Sequence, residues 1–177
     1  MHGNRRRALL AALTVVLAAG VGSPSPAMAG PECTITGGPG RDGLVGTAGS
    51  DVICGRGGRD QIDGRGGDDI LRGGDDVDFL FGQRGDDIIQ AGRGPDWAFG
   101  GRGRDLLFGA KGSDNTLAGE TGRDRMYGGR GDERCISGTD GRGGDVIRGG
   151  SGSDTYDADA DDDVRGAEHK SELCRMF

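Results

Sequence analysis

The feature that most constrains the fold of this chain is an aspartate that returns every nine residues. The spacing is unbroken from Asp42 to Asp114. Glycines keep the same phase, five residues before most of these aspartates, as at Gly37 and Gly46. Two residues after the first eight aspartates come Leu44, Ile53, Ile62, Leu71, Leu80, Ile89, Ala98 and Leu107. A fixed period of this kind predicts a stack of short units, each of which hides its apolar residue only against its neighbours.

Each unit divides into a glycine-rich turn and a short strand. In the unit that ends at Cys54, the residues from Asp51 onward leave the turn and alternate sides, so that only Ile53 points inward. The glycines supply positive backbone dihedrals for the turn and let main-chain carbonyls converge. A repeated carboxylate beside converging carbonyls is a set of hard oxygen ligands that calcium accepts, whereas zinc prefers His and Cys. The pattern therefore predicts calcium sites at the turns.

Three units carry the full pattern Gly-Gly-x-Gly-x-Asp, at residues 37–42, 100–105 and 149–154. They resemble the nonapeptide of the repeats-in-toxin, or haemolysin-type, calcium-binding proteins. This resemblance extends to about residue 163. It implies an all-β fold, a parallel β-roll (β-solenoid) with two repeats per coil, in which several calcium ions are held between turns stacked on the same side. The metal ligands that it implies are Asp42, Asp51, Asp60, Asp69, Asp78, Asp87, Asp96, Asp105, Asp114, Asp124, Glu133, Asp145, Asp154 and Asp163.

Stacked carboxylates give the metal a structural role. Two repeats per coil bring units 18 residues apart side by side, so that Asp42 should lie beside Asp60 and Asp51 beside Asp69. At a strand spacing of about 4.8 Å these charges would repel one another without an ion between them. Since the chain also has little apolar mass, we expect the calcium-free protein to be largely disordered and to fold on binding calcium.

The repeat is irregular in its second half. The steps that end at Asp124 and Asp145 are ten and twelve residues long. We expect a bulge in each, with Leu117 rather than Thr116 at the inward position, and a weakened calcium column around residues 138–144. Three substitutions also depart from the repeat, namely Asp76, Ala91 and Glu133.

The two ends of the chain lie outside the regular repeat. Residues 1–29 place three arginines before an apolar run and end in Ala-Met-Ala, which is the build of a secretory signal peptide. The apolar run is shorter than the roughly 20 residues that cross a bilayer. Residues 30–156 then form the calcium-binding β-roll. Residues 157–177 admit two interpretations, a degenerate last repeat or an EF-hand-like loop over 157–168, followed by a short capping helix over 168–177.

The four cysteines allow three pairings. Cys33 and Cys54 fall on the same side of the roll in successive coils, offset by three residues. This phase favours a bridge between Cys33 and Cys54, which leaves Cys135 to pair with Cys174 in the tail.

Composition excludes several function classes. Without residues 1–29 the chain carries 19 Lys and Arg against 29 Asp and Glu, a net charge of −10, which argues against a nucleic-acid partner. Its histidines are His2 and His169, and it has neither an HExxH nor a GxSxG motif, so hydrolysis lacks a base and a nucleophile motif. We therefore expect a non-enzymatic calcium-binding protein that is secreted to the extracellular space.

Two surfaces outside the calcium sites support an alternative function. The outward slots of one face hold Phe79, Phe81, Trp97 and Phe99, and those of the other hold Val52, Ile70, Ile88 and Leu106. These slots are either ordinary strand surface or a contact patch for a second copy or a partner. One turn position in successive units holds Arg84, Arg93, Arg102, Lys111 and Arg130. This basic row either pairs with nearby aspartates, such as Asp86 and Asp132, or binds an acidic polysaccharide. The alternative is an extracellular adhesive or matrix module that binds a glycan or protein through either surface.

Overall fold

The structure is a computed structural model that describes residues 31–170 and residue 174. Its regular elements are short β-strands separated by glycine-rich turns. The strands are β1 (Ile35–Thr36), β2 (Gly43–Val45), β3 (Val52–Gly57), β4 (Gln61–Asp63), β5 (Ile70–Asp75), β6 (Phe79–Arg84), β7 (Ile88–Arg93), β8 (Trp97–Gly103), β9 (Leu106–Lys111), β10 (Thr116–Gly122), β11 (Arg125–Arg130), β12 (Ile136–Ser137), β13 (Val146–Ser151), β14 (Thr155–Asp157), β15 (Asp163–Arg165) and β16 (His169–Lys170).

The strands alternate between two eight-stranded sheets. The odd-numbered strands form one sheet, in the order β1-β3-β5-β7-β9-β11-β13-β15, and the even-numbered strands form the other in the same progression. Neighbouring strands are parallel, and Ile53 lies opposite Leu71 of the next coil. Each coil of two repeats therefore gives one strand to each sheet. The expected all-β parallel β-solenoid is confirmed.

The core is a narrow column between the two sheets, to which each full strand contributes one inward side chain, except that β7 contributes both Ile89 and Ala91. Leu44 and Ile35, in the first coil, are only partly buried because the column ends there. The fully buried members are Ile53, Ile62, Leu71, Leu80, Ile89, Ala91, Ala98, Leu107, Leu117, Met126, Ile136 and Ile147. The inward residues that the nine-residue period predicts are thus confirmed.

Glycine is required where successive coils touch at the turns. Gly58 has a φ of 91°, and a Cβ at this residue would lie 2.5 Å from the carbonyl carbon of Gly40 in the previous coil. No other residue fits so close an approach in the left-handed region. Asp76, which replaces a glycine of the repeat, adopts the left-handed region as well, with a φ of 77°.

The ten-residue step after Asp114 is absorbed in a bulge. The N–H groups of Asn115 and Thr116 both donate to the carbonyl oxygen of Asp96, at 2.9 and 3.3 Å. As a result Leu117 lies opposite Ala98 and enters the core column. The predicted bulge and the predicted inward position of Leu117 are both confirmed.

The C-terminal segment continues the solenoid. β15 pairs with β13, with Val164 opposite Ile147, and β16 pairs with β14. The strands β14 and β16 that flank residues 157–168 stand where an EF-hand has helices, so the pairing favours a degenerate last repeat over the EF-hand-like interpretation. Within the predicted capping helix, His169–Lys170 is a strand. Glu168 is in neither a helix nor a strand, while residues 171–173 and 175–177 of that helix and the predicted signal peptide at 1–29 lie outside the described residues.

Two disulfides lie toward the ends of the described roll. Cys33 is bonded to Cys54, and Cys135 to Cys174. Both predicted pairings are confirmed. Over the part of the chain that the structure describes, no helix has the length and apolar character to cross a membrane.

Candidate metal centre

The repeated carboxylates form two rows, one along each turn edge of the solenoid. Row A precedes the odd-numbered strands, and row B precedes the even-numbered strands. Row A consists of Asp51, Asp69, Asp87, Asp105, Asp124, Asp145 and Asp162. Row B consists of Asp42, Asp60, Asp78, Asp96, Asp114, Glu133 and Asp154. Thirteen of the fourteen predicted metal ligands lie in these rows, and Asp163 does not.

Within a row, one carboxylate oxygen links successive coils. The N–H of Asp60 donates to Oδ1 of Asp78 at 2.8 Å, and the N–H of Asp69 donates to Oδ1 of Asp87 at the same distance. This contact fixes the side chain of each aspartate against the backbone of the preceding coil. It also explains why each carboxyl group is held inward, since Asp78 and Asp87 are at most 1% exposed.

The second carboxylate oxygen has no partner in most of the row members. Buried oxygens without a hydrogen-bond donor among the described residues are the Oδ2 atoms of Asp60, Asp69, Asp78, Asp87, Asp96, Asp105, Asp114, Asp124, Asp145 and Asp154, and both carboxylate oxygens of Glu133. A buried charged acceptor without a partner costs more than about 1–3 kcal/mol. So many such oxygens in one small domain require either protons or cations beside them.

The first glycine of most repeats leaves room beside these oxygens, whereas Ala91 takes this position before Asp96. A Cβ at Gly37 would lie 2.7 Å from Oδ2 of Asp42 and 2.7 Å from the carbonyl oxygen of Gly55. A carboxylate oxygen and a main-chain carbonyl oxygen of the next coil therefore border the same space, which only glycine keeps open. The same arrangement recurs at Gly55, beside Asp60 and the carbonyl oxygen of Gly73.

The chemistry of this oxygen set fits calcium. Carboxylate and carbonyl oxygens are the ligands that calcium takes, and it tolerates flexible geometry. No three His, Cys, Asp or Glu side chains of the described residues converge on one point. A bound ion would therefore combine one or two carboxylates with main-chain carbonyls. Zinc does not fit, because the rows contain neither His nor Cys.

Burial shifts the acidity of the rows in the absence of a cation. It raises the pKa of Asp78, Asp96, Asp105 and Asp124 from 3.8 to about 7. It raises the pKa of Asp69, Asp87, Asp114 and Asp145 to about 6. A main-chain N–H donor offsets part of the effect, and neighbouring carboxylates add to it in most cases, as Asp96 and Asp60 do for Asp78. The fold thus disfavours these charges until something positive compensates them.

Row B is interrupted at Glu133. Among the described residues no hydrogen bond joins the N–H of Asp114 to the Glu133 carboxylate, although the N–H of Glu133 still donates to Oδ1 of Asp154 at 3.1 Å. Burial, followed by the neighbouring carboxyl group of Asp154, raises the pKa of Glu133. In row A, by contrast, the N–H of Asp124 donates to Asp145 at 2.8 Å across residues 138–144. That calcium binding is weakened around 138–144 stays a prediction, but the chain of carboxylates is continuous there.

The last member of row A is Asp162, and the predicted ligand Asp163 lies elsewhere. The N–H of Asp145 donates to Oδ1 of Asp162 at 3.0 Å, and Oδ2 of Asp162 accepts the N–H of Asp159 at 2.7 Å. Asp163 lies on the outer face, where it pairs with Arg148 at 2.7 Å and with Arg165 at 3.1 Å. The prediction followed the nine-residue step from Asp154, but the turn before this row position is one residue shorter. The run of three consecutive aspartates at 161–163 was the available signal.

The comparison with protein families agrees with this geometry. The sequence model of the RTX calcium-binding nonapeptide repeat (4 copies) matches residues 34–53, 45–80, 55–89, 81–115, 112–140 and 137–164. The chain belongs to the RTX calcium-binding nonapeptide-repeat family. No curated protein and no solved structure matches it significantly. RTX repeats are calcium-binding structural repeats, so calcium is the ion expected for this RTX protein. Rows A and B both lie inside the matched residues.

The outward aromatic side chains of this RTX protein stack along the even-numbered sheet. Phe79 stacks on Trp97 with ring centroids 4.6 Å apart, and Phe81 stacks on Phe99 at 5.3 Å. The guanidinium of Arg59 lies 5.1 Å from the centroid of Phe79. One face of each ring is therefore used within a stack, and Arg59 lies against Phe79 as well. Binding of a partner to this patch stays a prediction.

The basic row is divided between the two turn edges. Arg84 lies opposite Arg102 on one edge, whereas Lys111 lies between Arg93 and Arg130 on the other. The aspartates expected to neutralise this row were wrongly chosen. Among the described residues Asp86 pairs with Arg104, and Asp132 accepts the N–H of Ser153, while Arg93 pairs with Asp75.

Proposed function

We propose that this protein is a secreted, non-enzymatic calcium-binding β-roll that acquires its fold when calcium binds. The observation that carries the proposal is the set of buried carboxylate oxygens in rows A and B that have no donor. Most of them border a glycine that leaves space for an ion, and at many of these glycines, as beside Asp60 and Asp69, a main-chain carbonyl oxygen borders the same space. Export rests on the signal-peptide pattern of residues 1–29.

In this function the residues of each turn have distinct roles. The aspartate supplies a carboxylate ligand through Oδ2 and uses Oδ1 to hold the preceding coil, as Asp78 does for Asp60. The first glycine keeps the site open and its counterpart one coil later supplies a carbonyl oxygen. Calcium supplies the positive charge that lets stacked carboxylates remain ionised. Because every site joins two coils, binding at one coil favours the folded form of the next.

The function is tested by calcium titration of the chain from residue 30 onward. We expect far-ultraviolet circular dichroism to show a strand signal that rises cooperatively at roughly 10⁻⁴ to 10⁻³ M calcium and is lost with a chelator. Magnesium is the control ion, and it should substitute poorly because it requires near-octahedral geometry and retains its water. An equally folded protein in chelator would refute the proposal.

A further inference from the structure

A groove lies on the outside of the odd-numbered sheet, next to the irregular coil. Its volume is about 560 Å³, within the range of small-molecule sites, which is roughly 300–1,000 Å³. Gly144, at the end of the twelve-residue step, forms part of its lining. The groove is therefore bordered by the extra residues of the longest step in the repeat.

The floor of the groove is apolar. It is formed by the partly buried side chains of Ile88, Leu106 and Val146. Ile88 lies opposite Leu106, and Arg125 lies between Leu106 and Val146 in the same outward row. Three apolar side chains and one cation thus follow one another over four coils.

Three guanidinium groups line the groove. Arg104 is held by Asp86, to which its Nε and a terminal nitrogen donate at 3.1 and 2.6 Å. Arg123 passes against Gly144, where a Cβ would lie 3.3 Å from its Nε. Arg123 and Arg125 are exposed, and among the described residues their guanidinium groups make neither an ion pair nor a hydrogen bond. Two forked donors on one coil are therefore available to a ligand.

The remaining charges of the lining do not cancel these cations. Asp86 is already paired with Arg104. Asp87, Asp105 and Asp124 belong to row A and are at most 2% exposed. Under the proposed function, on which this step rests, calcium offsets their charge, so that the calcium-loaded groove is positive.

We propose that this groove binds an organic anion, a sulfate or carboxylate group carried on an apolar body. The planar guanidinium groups of Arg123 and Arg125 donate paired N–H groups to the oxyanion, which is the geometry that arginine provides for such groups. The floor of Ile88, Leu106 and Val146 takes the apolar body. The anion and the apolar body are both required for tight binding.

The first test is isothermal titration calorimetry of the calcium-loaded protein with hexyl sulfate below its micelle concentration. Hexyl sulfate should bind more tightly than methyl sulfate and more tightly than hexanol, and hexanoate distinguishes a carboxylate from a sulfate preference. Replacing both Arg123→Gln and Arg125→Gln should weaken hexyl sulfate binding by about tenfold or more, since each arginine donates a charged hydrogen bond.

The matched control is the double variant Arg84→Gln and Arg102→Gln. It removes the same charge from adjacent, exposed coil positions outside the groove, and it should change binding by no more than about twofold. Equal losses in the two double variants would overturn the proposal, because they would reflect general electrostatic attraction. Absence of hexyl sulfate and hexanoate binding to the wild-type protein would overturn it as well.

A second pair of variants tests the contribution of the apolar floor to binding. Leu106→Thr should weaken hexyl sulfate binding but leave methyl sulfate binding unchanged, whereas Ile70→Thr, in the same outward row but outside the groove, should change neither. Circular dichroism in calcium verifies that each variant is folded.

If the double glutamine variant of Arg123 and Arg125 does not fold, the double variant Arg123→Lys and Arg125→Lys replaces it, because it keeps the charge. Undiminished binding to this lysine variant would refute the forked arrangement. Folding without calcium would refute the proposed function, but the groove could still be titrated.

Discussion

Rows A and B respond differently to irregularity in the chain. Row A stays continuous although its coils contain 18, 18, 18, 19, 21 and 17 residues. Row B is continuous through four coils of 18 residues and then loses its link at Glu133. Extra backbone is therefore tolerated, whereas one extra methylene in the side chain is not.

The reason lies in where each irregularity is placed. Extra residues are accommodated in a bulge or a turn, as at Asn115 and at residues 138–144. The next carboxylate therefore still lies in line with its row. A longer side chain cannot be displaced in this way, because the carboxyl group is enclosed between two coils and Glu133 is 1% exposed. The alignment of the rows thus depends on the length of the acidic side chain.

The largest expected effect is on calcium-dependent folding, where an aspartate inside row A should matter more than one at the end of row B. Asp69→Ala should raise the calcium midpoint, which is the calcium concentration at half-maximal folding, about tenfold. The variant removes a ligand and leaves the N–H of Asp51 without an acceptor. Asp154→Ala, beyond the break, removes a ligand with a single row neighbour and should raise the midpoint clearly less. Calcium titrations followed by circular dichroism measure both. Equal shifts would show that the sites of a row are independent.

The second prediction concerns pH in the absence of calcium. The pKa values of the row aspartates rise from 3.8 to about 6–7 in the fold, so the folded form binds more protons than the unfolded chain between these limits. Stability therefore falls as pH rises through this window. We expect the chelated protein to show more strand signal at about pH 4–5 than at about pH 8. A strand signal that grows toward high pH would contradict the burial of these carboxyl groups.

Repair of row B should have a moderate effect. Glu133→Asp should restore the acceptor for the N–H of Asp114 and raise stability in calcium by about 1 kcal/mol, measured by urea unfolding. The reciprocal variant is Asp145→Glu, which should break row A and lower stability by a similar amount. If Asp145→Glu is harmless, side-chain length is not the determinant of row continuity.

The smallest expected effect lies at the end of row A. Asp162→Asn should raise the calcium midpoint a few-fold, because it removes a charge from the row. Asp163→Asn should leave the midpoint unchanged and have little effect on stability, because its ion pairs with Arg148 and Arg165 are exposed to solvent. The reverse result would mean that the last coil is shifted by one residue.

Most of the fold follows from the nine-residue period. The period determines which residues point inward, and it places Cys33 near Cys54 and units one coil apart side by side. These are consequences of strand alternation and of two repeats per coil. Leu117 could be predicted too, because a bulge keeps an apolar residue in the column.

The remaining details depend on packing that spacing does not describe. Choosing Asp162 over Asp163 requires the length of the last turn, which a run of three aspartates hides. The loss of the link at Glu133 depends on the space between two coils. The basic row occupies one turn position in successive units, and because successive units alternate between edges, Arg84 and Arg93 lie on opposite edges.

The positions of the two disulfides affect how such a stack comes apart. Each coil contacts only its neighbours, so an end coil can peel away by breaking one interface, whereas an inner coil must break two. Cys33–Cys54 fastens the N-terminal segment to the strand of the following coil, and Cys135–Cys174 fastens the tail to the body of the roll. Fraying from either end is thereby blocked by a covalent bond. The oxidised protein should consequently open as one cooperative unit, and the reduced protein coil by coil from its ends.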